Sequence, residues 1–364
     1  MTSPSSTEPT TRDASEPPRE MTLQNPVRDH FASFIFGNAT ECKAVVQQNS
    51  HAGQHLVIAG AGPSLQDTAP KWCPRADQVW GCNSAATWLY EHGHKVTHGF
   101  TVDQTAHMLE EWASVPPIDY LIASSCNPFL RELLESKGRS VTFFHNYVGV
   151  EGQNVAYNYC KTCQAMSDRT ENTTPPCPTC GSTDVDGATV SYEEWLYELL
   201  YDPTITVGSG LNAVTRAIDV AVFMGFDPIT MLGADCAMRT TERMPSGMMT
   251  GSPAHLQWLR EHTVMHADGG HALASDASCL TLGGEIDGRY WLTKPDMAVT
   301  AVWLVWMKRQ YGKRLRIMGD TLPKALLHKP DSFLARLPML SQKDGAPIKF
   351  RTHDPTAGLT VAVP

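Results

Sequence analysis

The sequence lacks an apolar run long enough to cross a membrane. The longest, Met297 to Met307, has eleven residues, which suits a buried helix, whereas a span needs about 20. It also lacks an apolar leader. Residues 1–20 are rich in Ser, Thr, Pro and Glu, and residues 1–30 read as a disordered tail. These absences point to a cytoplasmic chain with no membrane partner and with reduced cysteines. Positive charge is scarce, with 29 Lys and Arg against 38 Asp and Glu and a net charge of −9. A broad nucleic-acid face needs clustered cations, so the composition does not favour one, while it leaves room for a local basic groove. Neither a complete dinucleotide fingerprint nor a Gly-Lys-Ser/Thr P-loop is present. There is no internal repeat.

What is present is an alternation of short apolar runs with helical segments. The strand candidates are His55–Gly60, Gln78–Asn83, Thr97–Asp103, Tyr120–Ser124, Ser140–His145, Pro228–Gly233 and Arg314–Met318. Helices are expected over Ser84–Glu91, Asn127–Lys137, Tyr192–Leu200, Asn212–Met224 and Asp296–Gln310. This pattern predicts an α/β domain with a mostly parallel sheet and helices on both faces. Residues 236–290 are rich in Gly, Met and His and read as a lid-like excursion. The main domain is expected over residues 31–330, with a loop-like tail at 331–364.

Ten cysteines are present. Four of them stand as Cys160-Lys-Thr-Cys163, thirteen residues, then Cys177-Pro-Thr-Cys180-Gly181. Two Cys-x-x-Cys knuckles at this spacing supply four thiolates to one tetrahedral ion, and Pro178 and Gly181 suit the tight turns. The polar loop between the knuckles has no core of its own, so metal binding would supply its folding energy. A structural zinc ribbon over residues 156–186 follows, inserted into the larger domain. It is also the one place where nucleic acid is a candidate partner. Cys42, Cys73, Cys82, Cys126, Cys236 and Cys279 are scattered and read as buried thiols.

Polar residues fall at the ends of the strand candidates. Gly60-Ala61-Gly62-Pro63-Ser64-Leu65 follows the first, and a backbone of this kind can approach a phosphate at a helix N-terminus. Asn83, Asp103 and Asp235 end three others. The stretch Gly208-Ser209-Gly210-Leu211-Asn212 opens a helix and offers a second anion site. Each of these positions can equally be a cap or a turn former.

Taken in order, the Gly60–Leu65 turn, Asn83-Ser-Ala, Val102-Asp103, Gly208–Asn212 and Gly225-Phe-Asp-Pro-Ile-Thr-Met-Leu-Gly-Ala-Asp235 resemble the MptE-like domain family. Its namesake is an archaeal 6-hydroxymethylpterin diphosphokinase. The family also holds the bacterial motility accessory factors that glycosylate flagellin, and many phage proteins. Its Rossmann-like fold is similar to that of bacterial sialyltransferases that use CMP-sugars. The resemblance implies a transferase of the phage type, acting in the host cytoplasm. It implies that Gly60, Gly62, Pro63, Ser64, Leu65, Asn83, Gly208, Ser209, Gly210 and Asn212 hold a nucleotide or nucleotide sugar, and that Asp103 and Asp235 bind a metal or orient the substrate. His266 or His271 would serve as general base to an acceptor hydroxyl in a glycosyltransferase. In a diphosphokinase, Mg²⁺ would instead be held by Asp103 and Asp235 with ATP phosphates. A glycan, a protein, a modified nucleobase or a pterin are the candidate acceptors. A nucleotide-binding module without catalysis is the third class. The paired Gly/Ser turns favour the glycosyltransferase.

Overall fold

The computed structural model describes residues 44–105, 107–114, 116–146, 154–163, 166–168, 176–191, 212–240, 243–249, 252–269, 282–286 and 288–329, with Phe34 and Asn38. Its centre is a seven-stranded parallel sheet. The strands are β1 (Leu56–Ala59), β2 (Gln78–Cys82), β3 (His98–Thr101), β4 (Asp119–Ala123), β5 (Val141–Phe144), β9 (Ile229–Leu232) and β14 (Leu315–Ile317). Their order is β14-β9-β1-β2-β3-β4-β5. All seven are the runs expected from the sequence. They are short and buried, the form that strands of a parallel sheet take when helices cover both faces. The chain divides into two compact units.

The first unit comprises the described residues up to Gly60 and Cys73–Asp227. It holds β1 to β5 and the helices α2 (Ser84–Glu91), α3 (His107–Glu111), α4 (Pro128–Ser136) and α5 (Ala213–Phe223); α1 is given below with the second unit. Its core holds an aromatic row contributed by β2, β3 and β5. Trp80 stacks on Phe100 with centroids 6.0 Å apart, and Phe100 stacks on Phe144 at 4.8 Å. Phe226 meets Trp80 edge-on at 5.3 Å, from the turn that follows α5. Between β5 and α5 in sequence, β6 (Asn154–Cys160), β7 (Met166–Asp168) and β8 (Val185–Ser191) make an antiparallel sheet in the order β7-β6-β8. This is the insertion expected around the paired cysteines.

The second unit comprises Ala61–Trp72 and the described residues from Pro228 on. It contains α1 (Leu65–Trp72), β9, β10 (Arg239–Thr240), α6 (Pro253–His262), β11 (Thr263–Val264), β12 (Leu282–Ile286), β13 (Arg289–Thr293), α7 (Pro295–Tyr311), β14 and α8 (Leu322–His328). The excursion over residues 236–290 thus carries a helix and two small antiparallel pairs, β10-β11 and β12-β13. Trp291 packs with Ala301, Val305 and Leu322, while Met238, Trp258, Leu259 and Leu292 form a second cluster. In α7 the residues Ala298, Val299, Ala301, Trp303, Leu304, Val305 and Met307 are buried, as a helix apolar on several sides requires. Among the described residues no helix is long and apolar enough to cross a membrane.

Two histidines of the first unit, His145 buried and His98 half-buried, make its stability depend on pH. Burial pushes His98 and His145 down from 6.5 to about 4. Above pH 6.5 neither the folded nor the unfolded state binds the proton. As the pH falls from 6.5 toward 4, only the unfolded chain binds it, so stability is lost across that window. At about 1.4 kcal/mol per pH unit, the loss is on the order of 3 kcal/mol for each histidine. Urea midpoints should drop between pH 7 and pH 5, and His98→Gln should flatten the slope. An unchanged slope in that variant would reject the assignment.

Candidate functional site

The glycine turn after β1 folds onto the end of β9. The amide of Gly62 donates to the carbonyl of Gly233 at 2.9 Å, and the amide of Leu65 to that of Gly62 at 3.0 Å. Ser64 then opens α1. Its amide lies 3.3 and 3.2 Å from Oδ1 and Oδ2 of Asp235, and its hydroxyl donates to Oδ2 at 2.8 Å. Asp235 therefore serves as the anion at the N-terminus of α1, where the helix dipole favours one. The structure gives to this carboxylate the amide and hydroxyl that the sequence reading offers to a phosphate.

Gly62 is required by space. A Cβ there would lie 2.2 Å from Asp235 Oδ2 and 2.6 Å from the Gly233 carbonyl. Gly319, after β14, approaches from another side with φ +88°, and a Cβ on it would come 2.7 Å from Ser64 Oγ. Glycine thus lets the ends of β9 and β14 close on Ser64 and Asp235.

Asp235 is buried. Burial raises its carboxyl from the ordinary value near 4 to about 6, against the Ser64 hydrogen bonds and the charge of Arg239, which lower it. Neighbouring contacts fix its backbone. Its carbonyl accepts from the Leu322 amide at 3.0 Å. Cys236 sits at φ 53°, a left-handed conformation uncommon outside glycine, and its carbonyl accepts from Thr293 Oγ1 at 2.6 Å.

A cleft opens beside this pair. Ser64 and Asp235 line it together with Arg239 from β10 and Arg289 and Trp291 from β13. Asp67 and Asp320 complete its polar rim. Arg239 lies 3.4 Å from Asp67. Arg289 pairs with Asp320 and stacks over the Trp291 ring, 4.4 Å from its centroid. Burial and the like charge of Arg239 lower the Arg289 pKa, while Asp235 raises it. None of these rim residues is a site candidate from the sequence, although Gly319-Asp320 closes the last strand candidate.

His266 is exposed, but the next residue, Ala267, donates its amide to the Ala61 carbonyl at 2.8 Å. The chain at His266 is thereby tied to the glycine turn. His271, Gly208, Ser209 and Gly210 lie outside the described residues.

The other expected residues belong to the first unit. Asn83 ends β2 with φ 49° and ψ −125° and makes no side-chain cap bond to α2. Its Oδ1 is buried without a hydrogen-bond partner. A strained backbone and an unpartnered acceptor thus coincide at this strand end. Asp103 accepts the Thr105 amide at 2.8 Å, closing its own turn. Asn212 caps α5 in a reciprocal box with Thr215, so the capping role weighed for it is present.

In the insertion, Sγ of Cys160 lies 3.6 Å from that of Cys180, and Sγ of Cys163 lies 3.6 Å from that of Cys177. All four sulfurs are within 4.8 Å of one another. A tetrahedral ion with metal–sulfur bonds of ~2.3 Å requires sulfurs ~3.8 Å apart, so the set fits such an ion. A disulfide would need ~2.05 Å. The knuckle turns are in place: the Gly181 amide donates to the Cys177 carbonyl at 2.8 Å, and Gly181 has φ +72°. Lys161 braces the base of the ribbon through Asp186 at 2.8 Å. Among the described residues this is the group of three or more His, Cys, Asp or Glu side chains placed to share a metal.

No family model and no curated protein matches the sequence. Among solved structures, the chain is similar to the MAf glycosyltransferase from Magnetospirillum magneticum AMB-1, with 12% sequence identity and a TM-score of 0.49. The match covers 86% of this chain and 41% of that one, so the chain spans about two fifths of that protein's length.

Proposed function

We propose that the chain is a nucleotide-dependent group transferase and, within that class, a glycosyltransferase that draws on a nucleotide sugar. The observation that carries this is Asp235, a buried carboxyl with a pKa of about 6 beside a cleft that holds two arginines. An ordinary carboxylate is a weak base at neutral pH, whereas one raised toward neutrality can take the proton of an acceptor hydroxyl. The Ser64 bonds hold it in one orientation.

The family resemblance assigns the nucleotide to the Gly60–Leu65 turn and to the 208–212 turn, although the Ser64 amide and hydroxyl of the first are taken by Asp235. For Asn83, the unpartnered Oδ1 supports the same role, because it accepts a bond that the fold does not supply. Asp103 orients substrate. His266, tied to the glycine turn, is the alternative base. We read the ion of the four-cysteine site as zinc. Four thiolates complete a tetrahedral sphere and leave no position for substrate, so its role is structural.

Pyrophosphate transfer from ATP has one observation of its own. Asp67, Asp235 and Asp320 line a single cleft, and Mg²⁺ is held by one or two carboxylates with phosphate oxygens. Thermal shift with CMP-, UDP- and GDP-sugars and with ATP, each with Mg²⁺ or EDTA, separates the two. A nucleotide sugar at 100 times its Kd should stabilise the chain by about 2.7 kcal/mol, in EDTA as in Mg²⁺. Stabilisation by ATP alone, and only with Mg²⁺, would move the reading to the diphosphokinase. No shift with any nucleotide would reject both.

A further inference from the structure

The cleft of the second unit has a charge balance that selects among ligands. Asp67, Asp235 and Asp320 face Arg239 and Arg289 there. Three carboxylates against two guanidiniums leave no surplus of positive charge for a polyphosphate. A neutral ring bearing several hydroxyls is matched instead. Each carboxylate accepts O–H bonds on two oxygens, and each guanidinium donates a planar pair of N–H bonds.

The rim can open to receive such a ring. The side chains of the Arg239–Asp67 and Arg289–Asp320 pairs are 52% and 64%, and 40% and 68% exposed. Exposed pairs of this kind contribute little stability and exchange readily for other partners. Trp291 lines the cleft and is only 5% exposed, and the Arg289 guanidinium stacks over its ring, which leaves one guanidinium face at the rim.

We propose that this cleft is the acceptor subsite, that it binds a neutral sugar rather than a phosphate, and that Asp235 takes the proton of the reacting hydroxyl. The proposal rests on the transferase reading above. Oδ2 of Asp235 carries the Ser64 hydroxyl at 2.8 Å, while Oδ1 meets only the longer amide contact at 3.3 Å. Oδ1 keeps lone-pair capacity for a substrate. In the step, the hydroxyl O–H bond breaks and its proton passes to the carboxylate. The oxygen bonds to the anomeric carbon of the donor as the bond from that carbon to the phosphate oxygen breaks. The nucleotide phosphate leaves with the electron pair.

Saturation-transfer NMR on the full chain, without donor, tests the subsite. The probes are the methyl glycosides of glucose, galactose and N-acetylglucosamine, with inorganic pyrophosphate as the anionic contrast. At least one glycoside should receive saturation and should not be displaced by pyrophosphate. Arg289→Ala and the shape-conserving Asp320→Asn should each weaken it about tenfold, as loss of a hydrogen bond to a charged group implies. Melting curves verify that both variants are folded. Asp235→Asn should still bind the glycoside but lose transfer, and with it the low-pH limb of the rate profile. Absence of glycoside binding, or binding that both rim variants leave unchanged, overturns the proposal. So does pyrophosphate binding that depends on Arg289. Nucleotide binding by thermal shift is read separately. A wild type that binds nucleotide but no glycoside rejects the subsite alone, and one that binds glycoside but no nucleotide keeps the sugar site and rejects the transferase.

Discussion

Gly62→Ala is expected to destabilise the second unit by about 3 kcal/mol, the upper part of the range for overpacking a close contact. That corresponds to a fall in melting temperature of roughly 6–12 °C. A single Cβ would stand 2.2 Å from the Asp235 carboxylate and 2.6 Å from the Gly233 carbonyl. The second of these is backbone and cannot swing aside, so the turn itself must move. Ser64 would then leave Asp235, with the loss of three contacts of 2.8 to 3.3 Å. The control is Gly93→Ala, where a Cβ meets nothing within 4 Å and only its φ of +68° is strained. That change should cost about 1 kcal/mol. A phosphate-approach role alone predicts a Gly62→Ala variant that melts like the wild type and fails only with nucleotide. Equal melting of Gly62→Ala and wild type would therefore remove the packing explanation.

Cys177→Ser is expected to lower the metal content of the purified chain well below one ion and to unfold the insertion while the central sheet persists. Zinc binding in small thiolate sites is worth roughly 10–16 kcal/mol, and it supplies the folding energy directly. Among the described residues the β6–β8 ladder holds the base of the ribbon, and the knuckles beyond it depend on the ion. The ribbon's ion pairs, through Lys161 to Asp184 and Asp186, are half exposed. Elemental analysis reads the metal, and limited proteolysis reads the insertion, with new cleavage expected between β6 and β8. Cobalt substitution should give the visible spectrum of a tetrahedral four-sulfur site. Full metal retention in both Cys177→Ser and Cys163→Ser would contradict the assignment.

The sheet could be read from the sequence because each of its strands is a short apolar run closed by a turn residue. Leu56–Ala59 ends at Gly60, Gln78–Cys82 at Asn83, and Ile229–Leu232 at Gly233. Helices α2, α4, α5 and α7 were equally plain, the first with both boundaries as expected. Helix α1 was hidden by Pro70 in its interior, since proline normally argues against a helix. The β12–β13 hairpin had a readable sign, Asp287-Gly288 between Leu282–Ile286 and Arg289–Thr293, which the density of Gly and Met around it obscured. For the site, Asp235 and the glycine turn were visible as strand-end residues, but their bond to each other was not. It joins positions 171 residues apart, and no local pattern encodes such a pairing. Arg239, Arg289 and Trp291 were missed for the same reason. They reach the cleft from β10 and β13, which belong to two different pairs linked by the Met238–Leu292 bridge, an arrangement that tertiary packing sets.

The most direct test is turnover of nucleotide sugars by the purified chain in EDTA, with the metal content of the cysteine site verified before and after. Nucleotide release into a mixture of neutral glycosides should be detected by mass spectrometry without added Mg²⁺. Asp235→Asn should lower kcat by about 100-fold or more, the contribution expected of a general base. Intact nucleotide sugars under every condition, together with Mg²⁺-dependent release of AMP from ATP, would contradict the glycosyltransferase and establish pyrophosphate transfer in its place.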